Sequence, residues 1–172
     1  MSSLLLKVTF QLTVLCMFNA CQMDDNNING IVGSKAPYFN LTTSEGNQVN
    51  LFDYKDKVVI LFFFGNGTES SKKAAVNVQS DLVVPYTNKN DVVVLGLDYW
   101  NGDMLQVRAF KNSTNVTYPL LLDASNTVTN YKSTYDRLVI IDKNGTVIFS
   151  GTQDATNDIA AVKQQVDKLL LN

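Results

Sequence analysis

The sequence predicts a single α/β domain in which one central sheet is flanked by helices. Three uninterrupted apolar runs, rich in β-branched and aromatic residues, occupy positions 57–64, 91–97 and 137–142. Runs of this kind are typical of strands that are buried on both faces of a sheet. Between and after them, apolar residues recur at three- and four-residue spacing, as on one face of a helix. Strands that alternate with helices in this way indicate an α/β sandwich.

The remaining elements follow in order along the chain. The Glu45-Gly46 turn predicts an N-terminal β-hairpin ahead of the first long strand, and Asn144-Gly145 predicts a type I′ hairpin after the last one. A short strand is expected near Leu120–Leu122. Helices are predicted over 68–84, 103–111 and 154–171. The predicted order is therefore hairpin, β, α, β, α, short β, β, hairpin turn, β, α.

Two absences in the composition exclude several classes of enzyme. The 172 residues include no histidine, and the two cysteines, Cys16 and Cys21, both precede position 22. Ser-His-Asp and Cys-His nucleophile pairs and His-ligated metals are therefore excluded. The body of the chain can form no disulfide and offers no thiolate. Acidic residues do not cluster at metal-ligand spacing, so we expect neither a metal nor a cofactor. A net charge of −2 argues against binding to nucleic acid.

The first twenty residues have the pattern of a secretory signal peptide. Lys7 precedes the apolar stretch Val8–Ala20, which is too short to span a bilayer. Ala20 directly before Cys21 resembles a bacterial lipobox, which predicts lipidation of Cys21; an ordinary signal peptide cut near Ala20 is the alternative. We expect residues 21–33 to form a flexible tether and 34–172 the folded domain. The protein is then exported, and it is held at the membrane, in the periplasm or on the cell surface, only through that lipid anchor.

Five segments occur in the order and spacing of a known family: 33–39 (GSKAPYF), 49–59 (VNLFDYKDKVV), 95–98 (LGLD), 107–110 (VRAF) with 116–123 (VTYPLLLD), and 140–145 (IIDKNG). Together they resemble the redoxin or peroxiredoxin-like group of the thioredoxin-fold superfamily, which includes the alkyl hydroperoxide reductase and thiol-specific antioxidant proteins. The resemblance covers about residues 31–168. It implies a thioredoxin-like three-layer sandwich, a central mixed sheet flanked by helices, with an N-terminal β-hairpin extension.

The same resemblance implies that the catalytic positions have changed. The family's reactive cysteines fall at Thr68 and Ser71, where a helix N-terminus would lower a thiol pKa. The proline or arginine beside the family's active site falls at Asp136, and Arg137 is one position away. We expect Thr68 to be a helix N-cap and Ser71 to fill the second cysteine position. Alternatively, either hydroxyl could donate a hydrogen bond to a bound thiolate or other anion.

Two functions are consistent with this pattern. The first is a binding or structural module of the cell envelope that lacks the thiol site, with an unidentified envelope protein as partner. The second is a redoxin-type oxidoreductase, with thiol-disulfide or peroxide chemistry, that uses an external or partner thiol near Thr68. Tyr99-Trp100 follows the second long strand and could belong either to a docking surface or to the rim of the core.

Overall fold

A computed structural model of the chain describes residues 31–152 and 154–171. The predicted signal peptide, the lipidation site at Cys21 and residues 22–30 of the predicted tether lie outside the described residues. In the described part, no helix is both long and apolar enough to cross a membrane.

The strands are β1 (Asn40–Thr42), β2 (Gln48–Asn50), β3 (Val58–Phe64), β4 (Val92–Asp98), β5 (Leu120–Leu121), β6 (Arg137–Ile141) and β7 (Val147–Ser150). The long apolar runs form the middle of a five-stranded mixed sheet with the order β5-β4-β3-β6-β7. Strand β3 is buried at all seven positions, because it has a hydrogen-bonded neighbour on each side and a packed layer on each face. It pairs in parallel with β4 and antiparallel with β6. A separate two-stranded hairpin of β1 and β2 precedes the sheet.

The three predicted helices are present near their predicted positions, together with two short helical segments that were not predicted and a change of helix type in the first predicted helix. The helices are α1 (Glu69–Val78), α2 (Met104–Thr114), α3 (Ser125–Asn130) and α4 (Ala155–Leu169). The short α3 and a 3-10 turn at Leu51–Tyr54 were not predicted, since neither is long enough to show a helical period. The first predicted helix, 68–84, changes after Val78 to a π-helical turn over Gln79–Val83 and then to a 3-10 turn over Val84–Tyr86.

Alternating residues of β3 face two separate cores. Ile60, Phe62 and Phe64 pack in a cluster with α1, α2 and α4. Val59 and Leu61 face the opposite cluster, to which the N-terminal hairpin and α3 contribute. The layers are therefore three helices, the sheet, and a thinner covering of hairpin and short helix. This arrangement confirms the predicted α/β sandwich with its N-terminal hairpin.

Two details differ from the sequence-based expectations. The predicted type I′ turn at Asn144-Gly145 is wrong. Such a turn needs a positive φ at both central residues, and of these two only Gly145 has one, of 73°. Instead the Gly145 N–H donates to the Asp142 carbonyl, and the Asp142 carboxylate accepts from the Asn144 and Thr146 N–H groups. In addition, residues 31–33 belong to the packed body rather than to the predicted tether. Ile31 is buried, and the Gly33 N–H donates to the Val147 carbonyl.

Candidate functional site

Helix α1 begins where β3 ends, and Thr68 caps its N-terminus. Thr68 has an extended backbone, and its hydroxyl accepts a hydrogen bond from the Ser71 N–H at 3.1 Å. It also donates to the Gly65 carbonyl at 3.3 Å. The Thr68 side chain therefore satisfies one of the free N–H groups at the start of the helix, while the N–H groups of Glu69 and Ser70 lack intrahelical acceptors. The N-cap expected from the sequence is present.

Ser71 is fully buried and connects α1 to the start of β6. Its hydroxyl donates a short hydrogen bond to Asp136 Oδ1, and it accepts a hydrogen bond from the Gly65 N–H at 3.0 Å. Asp136 is itself only 5% exposed and has a left-handed backbone with φ of 54°, a conformation that aspartate tolerates better than most residues. Because its proton is donated to Asp136 and its side chain is fully buried, the Ser71 hydroxyl is not presented to solvent.

Asp98, the last residue of β4, holds the loop before α1 against the loop after β4. Its carboxylate accepts hydrogen bonds from the Asn66 side chain at 2.8 Å, from the Gly102 N–H at 2.5 Å and from the Trp100 N–H at 3.2 Å. Burial raises the pKa of this carboxyl, although the hydrogen bonds from Asn66, Gly102 and Trp100 act to lower it. Asp98 is thus a buried structural residue that fixes the position of the α1 entry loop.

Trp100 covers the glycines of that entry loop. A Cβ atom added to Gly65 would lie 3.0 Å from Trp100 Cε2, and one added to Gly67 would lie 3.2 Å from Cζ3. The indole remains 47% exposed, and its ring also meets Tyr135 edge-on at 5.6 Å between centroids. Tyr99 also stacks with Tyr135, at 6.3 Å between the ring centroids. A half-exposed aromatic surface (Tyr99, Trp100, Tyr135) therefore borders the start of α1.

The structure brings together three of the residues predicted from the sequence. Thr68, Ser71 and Asp136 meet at the carboxyl end of β3, as expected. Arg137 donates to the Asp136 carbonyl at 2.9 Å. The lipidation site, Cys21, is outside the described residues. Among residues 31–152 and 154–171, which the structure describes, no group of three potential metal ligands is found.

Sequence reasoning missed two contributors to this site. Neither Asp98 nor Asn66 was among the candidate site residues. The available signal was an aspartate at the end of a wholly apolar strand, followed by Asn101-Gly102. A carboxylate in that position commonly accepts hydrogen bonds from the turn that follows it. The contact to Asn66, 32 positions earlier, has no local signal.

The sheet order, the helix that starts directly after β3 and the cluster at that helix N-terminus define a thioredoxin-fold protein. The family model described as the AhpC/TSA family matches residues 32–150. The chain therefore belongs to the AhpC/TSA family.

Relatives of known sequence and structure agree with this assignment. A Coxiella burnetii protein provisionally named peroxiredoxin bcp is 36% identical over 114 residues, which are 66% of this chain and 70% of that protein. The thiol-disulfide oxidoreductase ResA of Geobacillus kaustophilus is 29% identical over 139 residues, 77% of this chain and 78% of ResA. A Bacteroides thetaiotaomicron structure, provisionally named a protein disulfide isomerase, superposes with a TM-score of 0.74 at 27% identity and covers 82% of this chain and 91% of that chain.

Proposed function

We propose that the chain is an exported, lipid-anchored member of its family that performs no thiol chemistry and acts as a binding or structural module of the cell envelope. The observation that carries the proposal is the hydrogen bonding of Thr68 and Ser71. Thr68 is used as a helix cap, and Ser71 is buried between the Gly65 N–H and the Asp136 carboxylate. The chain has no histidine to act as a base for either hydroxyl, and Ser71, although it donates to the Asp136 carboxylate, is fully buried and so is not accessible to a substrate.

The positions of the cysteines also support the absence of thiol chemistry. No cysteine follows Cys21, so the folded body has no sulfur nucleophile with which to attack a disulfide or a peroxide. The scaffold that positions such a group is nevertheless complete, from the buried β3 to the capped start of α1. A fold that is retained without its reactive group is consistent with a role in binding, for which the Tyr99–Trp100–Tyr135 surface offers exposed aromatic area.

Export and anchoring rest on the N-terminal pattern. The Lys7 charge, the apolar stretch Val8–Ala20 and the small Ala20 before Cys21 support a lipoprotein signal. A lipidated Cys21 would leave nine residues, 22–30, before the packed body begins at Ile31. Metabolic labelling with a palmitate analogue tests this part: label should be incorporated into the native chain and lost in Cys21→Ala. Label that persists in the variant would contradict lipidation at Cys21.

The loss of thiol chemistry is tested by assay of the purified protein for insulin reduction and for hydroperoxide consumption. We expect no turnover above buffer. The double substitution of Thr68→Cys and Ser71→Cys is the positive control. It should fold and gain measurable disulfide exchange, because both thiols would lie at a helix N-terminus. Turnover by the native chain would contradict the proposal.

A second function is favoured by the open first turn of α1. Thr68 is only partly buried and the N–H groups of Glu69 and Ser70 lack intrahelical acceptors, so a thiolate brought by another molecule could bind there. The chain would then assist redox chemistry with an external or partner thiol. Titration with small thiols should shift the amide resonances of residues 65–71 if this is correct. Unchanged resonances at millimolar thiol would exclude it.

A further inference from the structure

A cavity of about 740 Å³ lies at the end of the sheet opposite to Thr68. It is bordered by the 3-10 turn Leu51–Tyr54, the start of β3 and the turn between β6 and β7. Because β3 has seven residues at roughly 3.3 Å each, the cavity and the α1 N-terminus are separated by roughly 20 Å. The volume falls within the range of about 300–1,000 Å³ typical of small-molecule sites.

The floor of the cavity is apolar. Ala36, Leu51, Val59 and Ile141 line it, and all four belong to or pack against the core cluster on that face of the sheet. Phe52 stands at the border and is 73% exposed, which is unusual for a large apolar side chain. Such a surface gains free energy when an apolar chain covers it.

The border of the cavity is positively charged, although the whole chain carries a net charge of −2. Four lysines and two aspartates line it: Lys35, Lys55, Lys57, Lys143, Asp56 and Asp142. Two of the lysines are already engaged, Lys35 with the Asn144 carbonyl at 2.7 Å and Lys143 with Asp91 at 3.1 Å. The Asp142 carboxylate is likewise used by the turn that follows it.

Two ammonium groups remain available at this border. Neither the Lys55 nor the Lys57 ammonium group has a hydrogen-bond or ion-pair partner among the described residues, and neither does the Tyr54 hydroxyl beside them. Burial raises the pKa of Tyr54, so its phenol stays protonated at neutral pH and can donate. Asp56 lines the cavity beside these cations, and Asp53, whose charge also raises the Tyr54 pKa, lies near them without lining the cavity. Over the whole border, four lysines still outnumber the two lining aspartates.

We propose that this cavity binds a small amphipathic monocarboxylate. The apolar chain of the ligand lies on the floor formed by Leu51, Val59 and Ile141, and its carboxylate faces Lys55 and Lys57. The charge of the border selects an anion over a neutral or cationic molecule with the same chain. This site is independent of the thiol chemistry discussed above, because it shares no residue with the start of α1.

Calorimetric titration of the purified protein with decanoate tests the proposal. We expect saturable binding with a dissociation constant below about 1 mM, at least fivefold weaker binding of decanol, and none of decyltrimethylammonium. The methyl resonances of Leu51, Val59 and Ile141 should shift on binding. Binding of decanol as tight as that of decanoate would overturn the role of the lysines, and an absence of decanoate binding would overturn the site.

Two double variants distinguish the effect of the lysines at the cavity from the effect of the protein's overall charge. Lys55→Gln with Lys57→Gln should weaken decanoate binding about fivefold or more. Lys73→Gln with Lys89→Gln removes the same charge elsewhere and should leave binding unchanged. Ala36→Phe, which fills the cavity, should abolish binding while its unfolding curve shows that the protein is folded. Equal effects of the two double variants would overturn the proposal.

Two other occupants are distinguished by the same samples. In the absence of decanoate, sedimentation with anionic phospholipid vesicles should show no binding of the protein to the vesicles that depends on Lys55 and Lys57. Sedimentation equilibrium should show no self-association that these substitutions remove. Either dependence would assign the cavity to a lipid surface or to a second copy of the chain, and would overturn the small-molecule site.

Discussion

Removal of the Ser71 hydroxyl should strongly destabilise the protein, because it breaks two buried hydrogen bonds at once. Ser71→Ala leaves the Gly65 N–H without its acceptor at 3.0 Å and leaves Asp136 Oδ1 without its donor. A hydrogen bond to a charged group contributes about 1.5–3 kcal/mol, and a neutral one about 0.5–1.5 kcal/mol. The expected loss in free energy of unfolding is therefore about 2–4.5 kcal/mol. That is a large part of the roughly 5–15 kcal/mol typical of a domain.

Urea unfolding followed by the fluorescence of Trp100, the single tryptophan of the chain, measures this loss. Ser70→Ala is the matched control, because Ser70 is exposed and its hydroxyl makes only a 3.3 Å contact with Thr68 Oγ1. The control should lose less than about 0.5 kcal/mol. A double-mutant cycle between Ser71→Ala and Asp136→Ala should give a coupling energy of about 1–3 kcal/mol. A loss below about 0.5 kcal/mol in Ser71→Ala, or a coupling near zero, would refute the assignment of this pair.

Three further predictions concern the same end of the sheet. Thr68→Ala removes the N-cap and should reduce the free energy of unfolding by about 1 kcal/mol, whereas Thr68→Asp should retain most of it; equal losses in urea titrations would argue against a cap. Because burial raises the pKa of Asp98, its protonated form is favoured by folding, so its contribution to stability is present below the ordinary value of 3.8 and is lost as the pH rises through the raised pKa. Thermal unfolding at stepped pH should show this decline in the native chain and not in Asp98→Asn; matching profiles would contradict it. Gly65→Ala places a Cβ 3.0 Å from the Trp100 ring, so it should change the fluorescence maximum of Trp100, and an unchanged spectrum would show that the indole does not pack there.

Local sequence patterns were sufficient for most of the fold. The β3 residues 58–64 are apolar without interruption and rich in β-branched and aromatic side chains, which is typical of a strand covered on both faces, and the structure buries all seven. The Asn144-Gly145 turn was placed correctly but given the wrong type. The Asp142 side chain accepts two N–H groups of that turn, and this contact favours a different backbone from the one that the dipeptide alone suggests.

The candidate site was predictable only in part. The resemblance to the family placed Thr68, Ser71 and Asp136 near one another. However, the hydrogen bond between Ser71 and Asp136 joins residues 65 positions apart, and no local pattern specifies it. The contact of Asn66 with Asp98 is equally non-local. The apolar cavity at the opposite end depends on three separate segments that meet only in the folded chain.

The buried strand β3 also determines how far substitutions at the cavity affect the start of α1, and the reverse. Its hydrogen bonds to β4 and β6 and its two packed faces hold the Lys57 end and the Gly65 end at a fixed separation. Substitutions at sites that far apart usually have additive effects on stability, within about 0.3–0.5 kcal/mol. Residues around the cavity can therefore vary without disturbing the start of α1, and the start of α1 can lose its chemistry without disturbing the cavity. A single rigid strand thus allows the two surfaces of this protein to evolve separately.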